Sequence, residues 1–301
     1  MSKHFPKGVA WIDGALVDIS EAKISLLDWG FLRSDATYDV AHVWKNRFFL
    51  LEKHIDRFIL STKKLRMPCS FSRKQIEGIL ASCVKEAELE NSYVEMIQTR
   101  GVSPSFDRDP RKAIPNFMAF AVPFGWILNP EKLEDGLDVA ITSVQRIPPE
   151  SINPTIKNYH WLDLVAGMYE SYDRGHETGL LVDQNGNVLE GPGFNIFCLK
   201  NNILYTPDKG VLNGITRWAV IEIAKELDVP VVLKLISKEF FETSSEAFAT
   251  STAGGVMPIT KVNGKKIKDG NFGEITRLIY KTYWDKHTDA NWSCSVNNLL
   301  L

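Results

Sequence analysis

A chain of 301 residues, 44% hydrophobic and 24% charged, has the make-up of a soluble globular protein long enough for two domains with real cores. A formal net charge of −2 gives no electrostatic reason to expect nucleic acid or an anionic membrane as a partner. Cys69, Cys83, Cys198, Cys294 and the six histidines show no CxxC or metal-ligand spacing, and there is neither an apolar N-terminal signal nor an uninterrupted apolar run of about 18 residues, so reduced thiols, no metal, no membrane span and a cytoplasmic location are expected.

In chain order, residues 9–12, a turn at Asp13-Gly14 and Leu16-Val17 read as an opening hairpin. Residues 38–44 and 48–51, flanking Asn46-Arg47, read as a second. Residues 55–65 and 75–88 carry apolar side chains at helical spacing. Residues 93–99 and 117–122 look like strands on either side of a polar loop, GVSPSFDRDPRKAIPN (101–116). The stretch 122–136 holds proline, glycine and a charge cluster, which suits an interdomain connection. Beyond it come a strand at 137–143, a helix at 161–174, a hairpin through Asp183-Gln-Asn-Gly186, further strands, and a last helix at 273–285. The mixture predicts an α+β fold, with a small domain over 1–124, a linker at 125–136 and a larger domain over 137–301. The tail after Lys286 is polar and turn-rich and is expected to be loosely held.

Chemistry concentrates between Pro154 and Lys200. Lys157 stands among apolar and aromatic neighbours, and Glu190 lies in a Gly/Pro-framed turn 33 residues later. The pairing suits pyridoxal phosphate, which needs a lysine for its aldehyde and a carboxylate to keep its ring nitrogen protonated. An amine packed among Ile156, Tyr159 and Trp161 is expected to be desolvated, which favours the neutral nucleophile. By themselves the same residues also describe a solvated lysine before a helix and an ordinary hairpin end. GVLNGITRWAVIEIAKEL (210–227) reads as a turn and an amphipathic helix. Gly214 there allows close approach to a ligand, and Thr216 adds a hydroxyl in the first turn. Such a start is either an anion site or a plain helix N-terminus. ATSTAGGVMP (249–258) offers hydroxyls and glycines that suit a phosphate or carboxylate, or simply a turn.

The order and spacing of DWGFLRSDATYDV (28–40), FFLLEKHIDRF (48–58), IKNYHW, LEGPGFNIF, LNGITR and TSTAGG resemble the class-IV aminotransferases, the pyridoxal phosphate enzymes of fold type IV. The resemblance runs from about Gly8 to Trp284 and rests on several independent motifs. SDATYDV with Trp44 shortly after, NPTIKN with Trp161, EGPGFNI and STAGGVMPIT resemble the (R)-selective amine transaminase branch most. The resemblance implies a small α/β sandwich and a larger pseudo-barrel joined by the linker. It also implies a homodimer whose subunits complete each other's active sites.

Residue by residue, it implies that Lys157 is the Schiff-base lysine and the acid–base of proton transfer, and that Glu190 partners the pyridine nitrogen. Arg57 would bind the phosphate with bidentate donors that lysine does not supply. Ile215 and Thr216 would cradle the phosphate and Thr252 would close the cradle, with Asn195, Gly214 and Ser251 also at the cofactor. Tyr159 would lie against the cofactor's 3-oxygen, where the amine transaminases have an aliphatic residue. Tyr38, Tyr93 and Trp161 would wall the substrate pockets, with Thr252 and Ala253 beside them. Arg108, in an Asp-Arg-Asp setting, resembles a mobile arginine that pairs a substrate carboxylate, or is a loop charge held by Asp107 and Asp109; Arg111 is the next candidate. Arg33 departs from the branch, which has histidine there, and a fixed arginine would favour carboxylate-bearing substrates. The implied activity is transfer of an amino group from an (R)-amine or D-amino acid to a keto acid such as pyruvate. A D-amino acid or branched-chain aminotransferase is the main alternative, followed by aminodeoxychorismate lyase and a non-catalytic cofactor carrier.

Overall fold

The computed structural model describes residues 5–300, which form two compact units. The first runs to Gly125 and also takes in Ile156–Tyr159 and the chain from His287; the second comprises Trp126–Thr155 and His160–Lys286.

In the first unit, β1 (Val9–Ile12) and β2 (Ala15–Asp18) form a hairpin through Asp13 and Gly14, whose φ of 51° and 82° suit glycine at the second position. The short helix α1 (Trp29–Arg33) follows, its N-terminus capped by the Asp28 side chain. Then come β3 (Ala36–Trp44), β4 (Arg47–Phe49), α2 (Leu51–Lys64), α3 (Arg73–Glu86), β5 (Ser92–Val102) and β6 (Ile114–Pro123). A Ser72–Gln75 capping box sets the start of α3. The strands build an antiparallel sheet in the order Ser293–Ser295, β4, β3, β5, β6, β1, β2. Alternation divides its residues: Ala41, Val43, Val94, Met96, Phe117 and Ala119 meet Ile55, Phe58, Ile76 and Leu80 of the two helices. Each such large apolar side chain, once buried, contributes about 1.5–3 kcal/mol. Tyr38, Tyr93 and Glu95 alternate with that set and project from the opposite face.

The second unit holds β7 (Leu137–Gln145), α4 (Leu162–Asp173), β8 (Thr178–Val182), β9 (Asn187–Val188), β10 (Glu190–Gly191), β11 (Phe194–Lys200), β12 (Ile203–Thr206) and α5 (Ile215–Glu226). They are followed by β13 (Val231–Leu233), β14 (Ile236–Ser237), α6 (Lys238–Glu242), β15 (Glu246–Ser251), β16 (Gly255–Val262), β17 (Lys265–Lys266) and α7 (Glu274–Asp285). Its mixed sheet runs β13-β12-β11-β15-β16-β7-β8-β9-β14, with β10 on β11 and β17 on β16. Val139, Ile141, Leu180, Ile196, Ala249, Met257 and Ile259 form its core. Among the described residues no helix is long and apolar enough to cross a membrane.

Three sequence expectations need correction. The tail after Lys286 is firmly packed: Ser293–Ser295 pairs with β4, Arg47 donates to Ser293 Oγ and O at 2.9 Å, and Val296 enters the first unit's core. A few apolar residues in a polar segment suffice once an open strand edge is there to receive them. The larger domain therefore ends at Lys286, not at the chain's end. The stretch expected as a linker at 125–136 belongs almost entirely to the second unit, because Leu128 is buried in its core and Ile127 N–H donates to Ala253 O at 2.9 Å.

Candidate active site

Lys157 is fixed by its backbone. Its carbonyl accepts from Thr37 Oγ1 at 2.6 Å and from the Tyr38 N–H at 3.2 Å, and Thr37 and Asn158 form an isolated antiparallel bridge. The side chain is left to extend over the aromatic face of the first unit's sheet, with Nζ 4.3 Å from the centroid of the Tyr38 ring. Tyr38 in turn stacks on Tyr159, with ring centroids 4.3 Å apart. The Tyr159 hydroxyl donates to Glu95 Oε1, and Tyr93 donates to Glu95 Oε2 at 3.0 Å. Tyr159, which the resemblance sets against the cofactor's 3-oxygen, thus also engages Glu95.

Glu95, 7% exposed, is the group in this cluster that the sequence reading missed. Burial raises its pKa above the ordinary glutamate value, against the pull of the two tyrosine hydroxyls and of Lys157. Burial, then the neighbouring carboxylate, raises both tyrosines, so they remain neutral donors. The signal available in the sequence was the Tyr93–Glu95 alternation on a strand, which put both on one face.

Arg57 sits on α2 and meets Asp39 of β3 in a two-point contact, Nε to Oδ2 at 2.7 Å and Nη2 to Oδ1 at 2.9 Å. His54, one helical turn earlier, places Nδ1 2.8 Å from Asp39 Oδ1. Burial would raise the Asp39 carboxyl, but the Arg57 guanidinium and the His54 ring outweigh it and hold it well below the usual carboxylate range. Burial lowers the His54 pKa, so the neutral ring donates its Nδ1–H to Asp39.

In the second unit the buried Glu190 is met by donors on both oxygens. Arg146 Nε reaches Oε1 at 3.0 Å, while the Leu212 N–H and Asn195 Nδ2 reach Oε2 at 3.0 and 3.3 Å. Arg146 also donates through Nη1 to Asp163 in the first turn of α4. Asn195 Nδ2 further bonds Leu212 O at 3.0 Å, and its Oδ1 lies where a Cβ on residue 214 would stand. Glycine at 214 is thus needed for the close approach of Asn195, whatever else approaches it. Gly214→Ala is expected to displace Asn195 and lower stability by about 1–3 kcal/mol in thermal or denaturant unfolding.

Gly214 begins α5 without a capping side chain, so the first-turn N–H groups at Ile215 and Thr216 remain available to an anion. Arg217, buried in that same turn, donates to Thr206 Oγ1 at 3.0 Å and Pro207 O at 2.7 Å, and pairs with no carboxylate among the described residues. Ser251 donates to Gly193 O at 2.8 Å and accepts from the Ala253 N–H at 3.2 Å, shaping the turn that carries Thr252 and Ala253. Trp161 stands at the N-cap of α4, with its ring close to Gly193.

The arginines expected at the substrate divide. Arg33 is exposed at the end of α1 and lies 3.8 Å over the Trp29 ring. Arg108 is exposed, and its flanking acids are engaged elsewhere: Asp107 by Lys112, Asp109 by Arg111. Arg108 itself has no carboxylate partner among the described residues, which removes the reading of a charge held by Asp107 and Asp109. Arg111, bound to Asp109 through Nε and Nη2, is committed.

Residues 36–262 match the sequence model of the family described as amino-transferase class IV. A putative branched-chain-amino-acid aminotransferase of Methanocaldococcus jannaschii is 31% identical over 289 residues, spanning 95% of this chain and 98% of that protein. A D-alanine aminotransferase of Staphylococcus haemolyticus is 26% identical over 277 residues, 91% of this chain and 95% of its own. Among solved structures, a branched-chain amino acid aminotransferase of Escherichia coli superposes with a TM-score of 0.91 at 25% identity, covering 96% of this chain and 99% of the other. That last likeness bears on the fold, which is the α+β fold type IV expected from the sequence.

Proposed function

The chain belongs to the amino-transferase class IV family, and from that premise we propose that it moves an amino group from an (R)-amine or D-amino acid to a keto acid such as pyruvate. Aminotransferase chemistry and pyridoxal phosphate follow from membership; the choice of substrate is the proposal. The bound cofactor supplies an electron sink for the carbon that exchanges its amino group. The residues present suit it: a lysine amine, a buried carboxylate, an uncapped helix start and a held arginine.

Lys157 Nζ takes the role of nucleophile and carries the proton. Tyr38 keeps water off one side of that amine. Glu190 would hold the proton on the ring nitrogen. Arg57, and the N–H groups of Ile215 and Thr216, would hold the phosphate, with the hydroxyls of Thr216, Ser251 and Thr252 nearby in sequence.

The observation that carries the substrate reading is Glu95, a buried carboxylate in the aromatic cluster that also holds Lys157. A second carboxylate brought against it would face acceptor oxygens in a desolvated setting, where two carboxylates cannot readily both be ionised. An amine without a carboxylate meets no such cost. Arg108, exposed and without an acidic partner, suits a keto acid's carboxylate by swinging in when one is present. The names of the relatives favour a second reading, a branched-chain or D-amino acid aminotransferase. A homodimer with shared active sites and a cytoplasmic location complete the proposal; light scattering in solution tests the former.

The deciding experiment adds (R)- and (S)-1-phenylethylamine, D- and L-alanine and L-leucine separately to the holoenzyme and follows loss of the bound cofactor's visible band. Conversion by (R)-phenylethylamine supports the amine reading, conversion by D-alanine alone narrows the donor to D-amino acids, and conversion by L-leucine alone overturns the proposal. Glu95→Gln is expected to raise kcat/KM for D-alanine relative to (R)-phenylethylamine by roughly tenfold, as replacing an acid by an amide that can donate to a carboxylate should. An unchanged ratio would take Glu95 out of substrate selection.

A further inference from the structure

We propose that Arg146 is a positioning residue that sets the plane in which Glu190 presents its carboxylate to the cofactor's ring nitrogen; the inference rests on Glu190 having that role. Glu190 stands on a strand of only two residues, β10, whose ladder consists of Glu190 opposite Asn195 and Gly191 opposite Phe194. So short a strand fixes a backbone direction but not the rotation of a long side chain. That rotation is set by what the two oxygens touch. Leu212 and Asn195 both approach Oε2, whereas Arg146 approaches Oε1. Donors on both oxygens define the carboxylate plane, and loss of the Arg146 contact at Oε1 loosens that plane even where other contacts remain.

Arg146 suits this role because it is anchored independently of Glu190. Its N–H donates to Val182 O at 2.9 Å just past the end of β7. Its Nη1 is held by Asp163, whose Oδ2 also accepts the Ile147 N–H at 3.0 Å. The guanidinium is therefore gripped at its far end and at its backbone, and Nε is left as a fixed donor. Burial disfavours its charge, but Glu190 and Asp163 outweigh that and keep it protonated. A lysine would bring a point charge able to satisfy one acid well, not a planar fork that spans two.

The test titrates apoprotein with pyridoxal phosphate and with its 1-deaza analogue, which carries a C–H where the ring nitrogen stands, for wild type, Glu190→Gln, Arg146→Gln, Arg146→Lys and Asp163→Asn. Arg146→Gln is expected to weaken pyridoxal phosphate by about tenfold more than the analogue, the scale on which an orienting neighbour acts. Arg146→Lys should not restore the difference, and Asp163→Asn should show a smaller effect of the same kind. Equal weakening of both ligands, or of neither, by Arg146→Gln overturns the proposal. If Arg146→Gln does not fold, Asp163→Asn decides by the same comparison. Glu190→Gln separates the two levels. If it treats both ligands alike, the assignment of Glu190 has failed; if it discriminates and the Arg146 variants do not, only the role of Arg146 has.

Discussion

Replacing Lys157 by alanine is expected to lower kcat by on the order of 10⁴-fold while leaving the fold nearly unchanged. The two halves of that expectation come from different atoms. The segment Ile156–Tyr159 is attached through the Lys157 carbonyl, which Thr37 Oγ1 and the Tyr38 N–H hold, and through the Thr37–Asn158 bridge. None of these contacts uses the side chain. What alanine removes is an amine resting on the Tyr38 ring, a contact contributing about 0.5–1 kcal/mol at a partly exposed site. Lys157→Ala should therefore melt within a few degrees of wild type, by an amount that follows from about 1 kcal/mol in a protein of this size. Chemistry loses much more, because nucleophile and proton carrier go together. A small primary amine added to the medium should restore part of the rate. Lys157→Arg, which keeps a long basic side chain, should not recover it. Stopped-flow absorbance of single turnovers, beside calorimetry of the same samples, checks both halves. Substantial residual turnover without added amine would take Lys157 out of the reaction.

Much of this arrangement could be read from the chain. Apolar spacing located α2, α3 and α5, and the asparagine–glycine turn before Thr216 marked a helix start that carries no capping side chain. Lys157 and Glu190 stood out because a lysine and a carboxylate framed by apolar residues are costly unless something uses or pairs them. Their supports did not stand out. Asp39 lies in a strand with nearly every residue buried, so alternation says little about which face it serves, and its partner Arg57 is 18 residues away on a helix. Nothing in the local sequence distinguishes Arg146. Its two acids come from α4 and β10, an adjacency that exists only after the sheet has formed. The tail misled for a similar reason: Ser293–Ser295 finds its partner at Phe49, a pairing that leaves no local pattern. For Arg33 and Arg108 the sequence offers only residue type, whereas what each touches depends on Trp29 in one case and on prior claims to Asp107 and Asp109 in the other.

Asp39→Asn should be among the most destabilising single substitutions in the first unit, at about 3–5 kcal/mol in denaturant unfolding at neutral pH. The isostere keeps the volume and removes the charge. Arg57 is then left largely buried opposite an amide that accepts at one atom instead of two, and the His54 Nδ1–H competes for the same oxygen. The wild-type protein carries a pH signature of this cluster. His54 binds a proton less readily folded than unfolded, so stability is fully present above roughly pH 6.5 and declines as pH falls below it. Asp39 also binds its proton less readily folded than unfolded, through Arg57 and His54 and in spite of burial. Its contribution is fully present above the unfolded carboxylate value of about 4 and is lost as pH falls through the lower folded value. Unfolding free energy should thus be flat from this cluster above neutrality and fall in two stages on acidification. In Asp39→Asn the stage below about pH 4 should shrink, while the neutral-pH plateau drops. The same variant should weaken pyridoxal phosphate more than phosphate-free pyridoxal, because Arg57 loses the carboxylate that aims it. Equal weakening of the two would show that Asp39 serves the fold and not the phosphate.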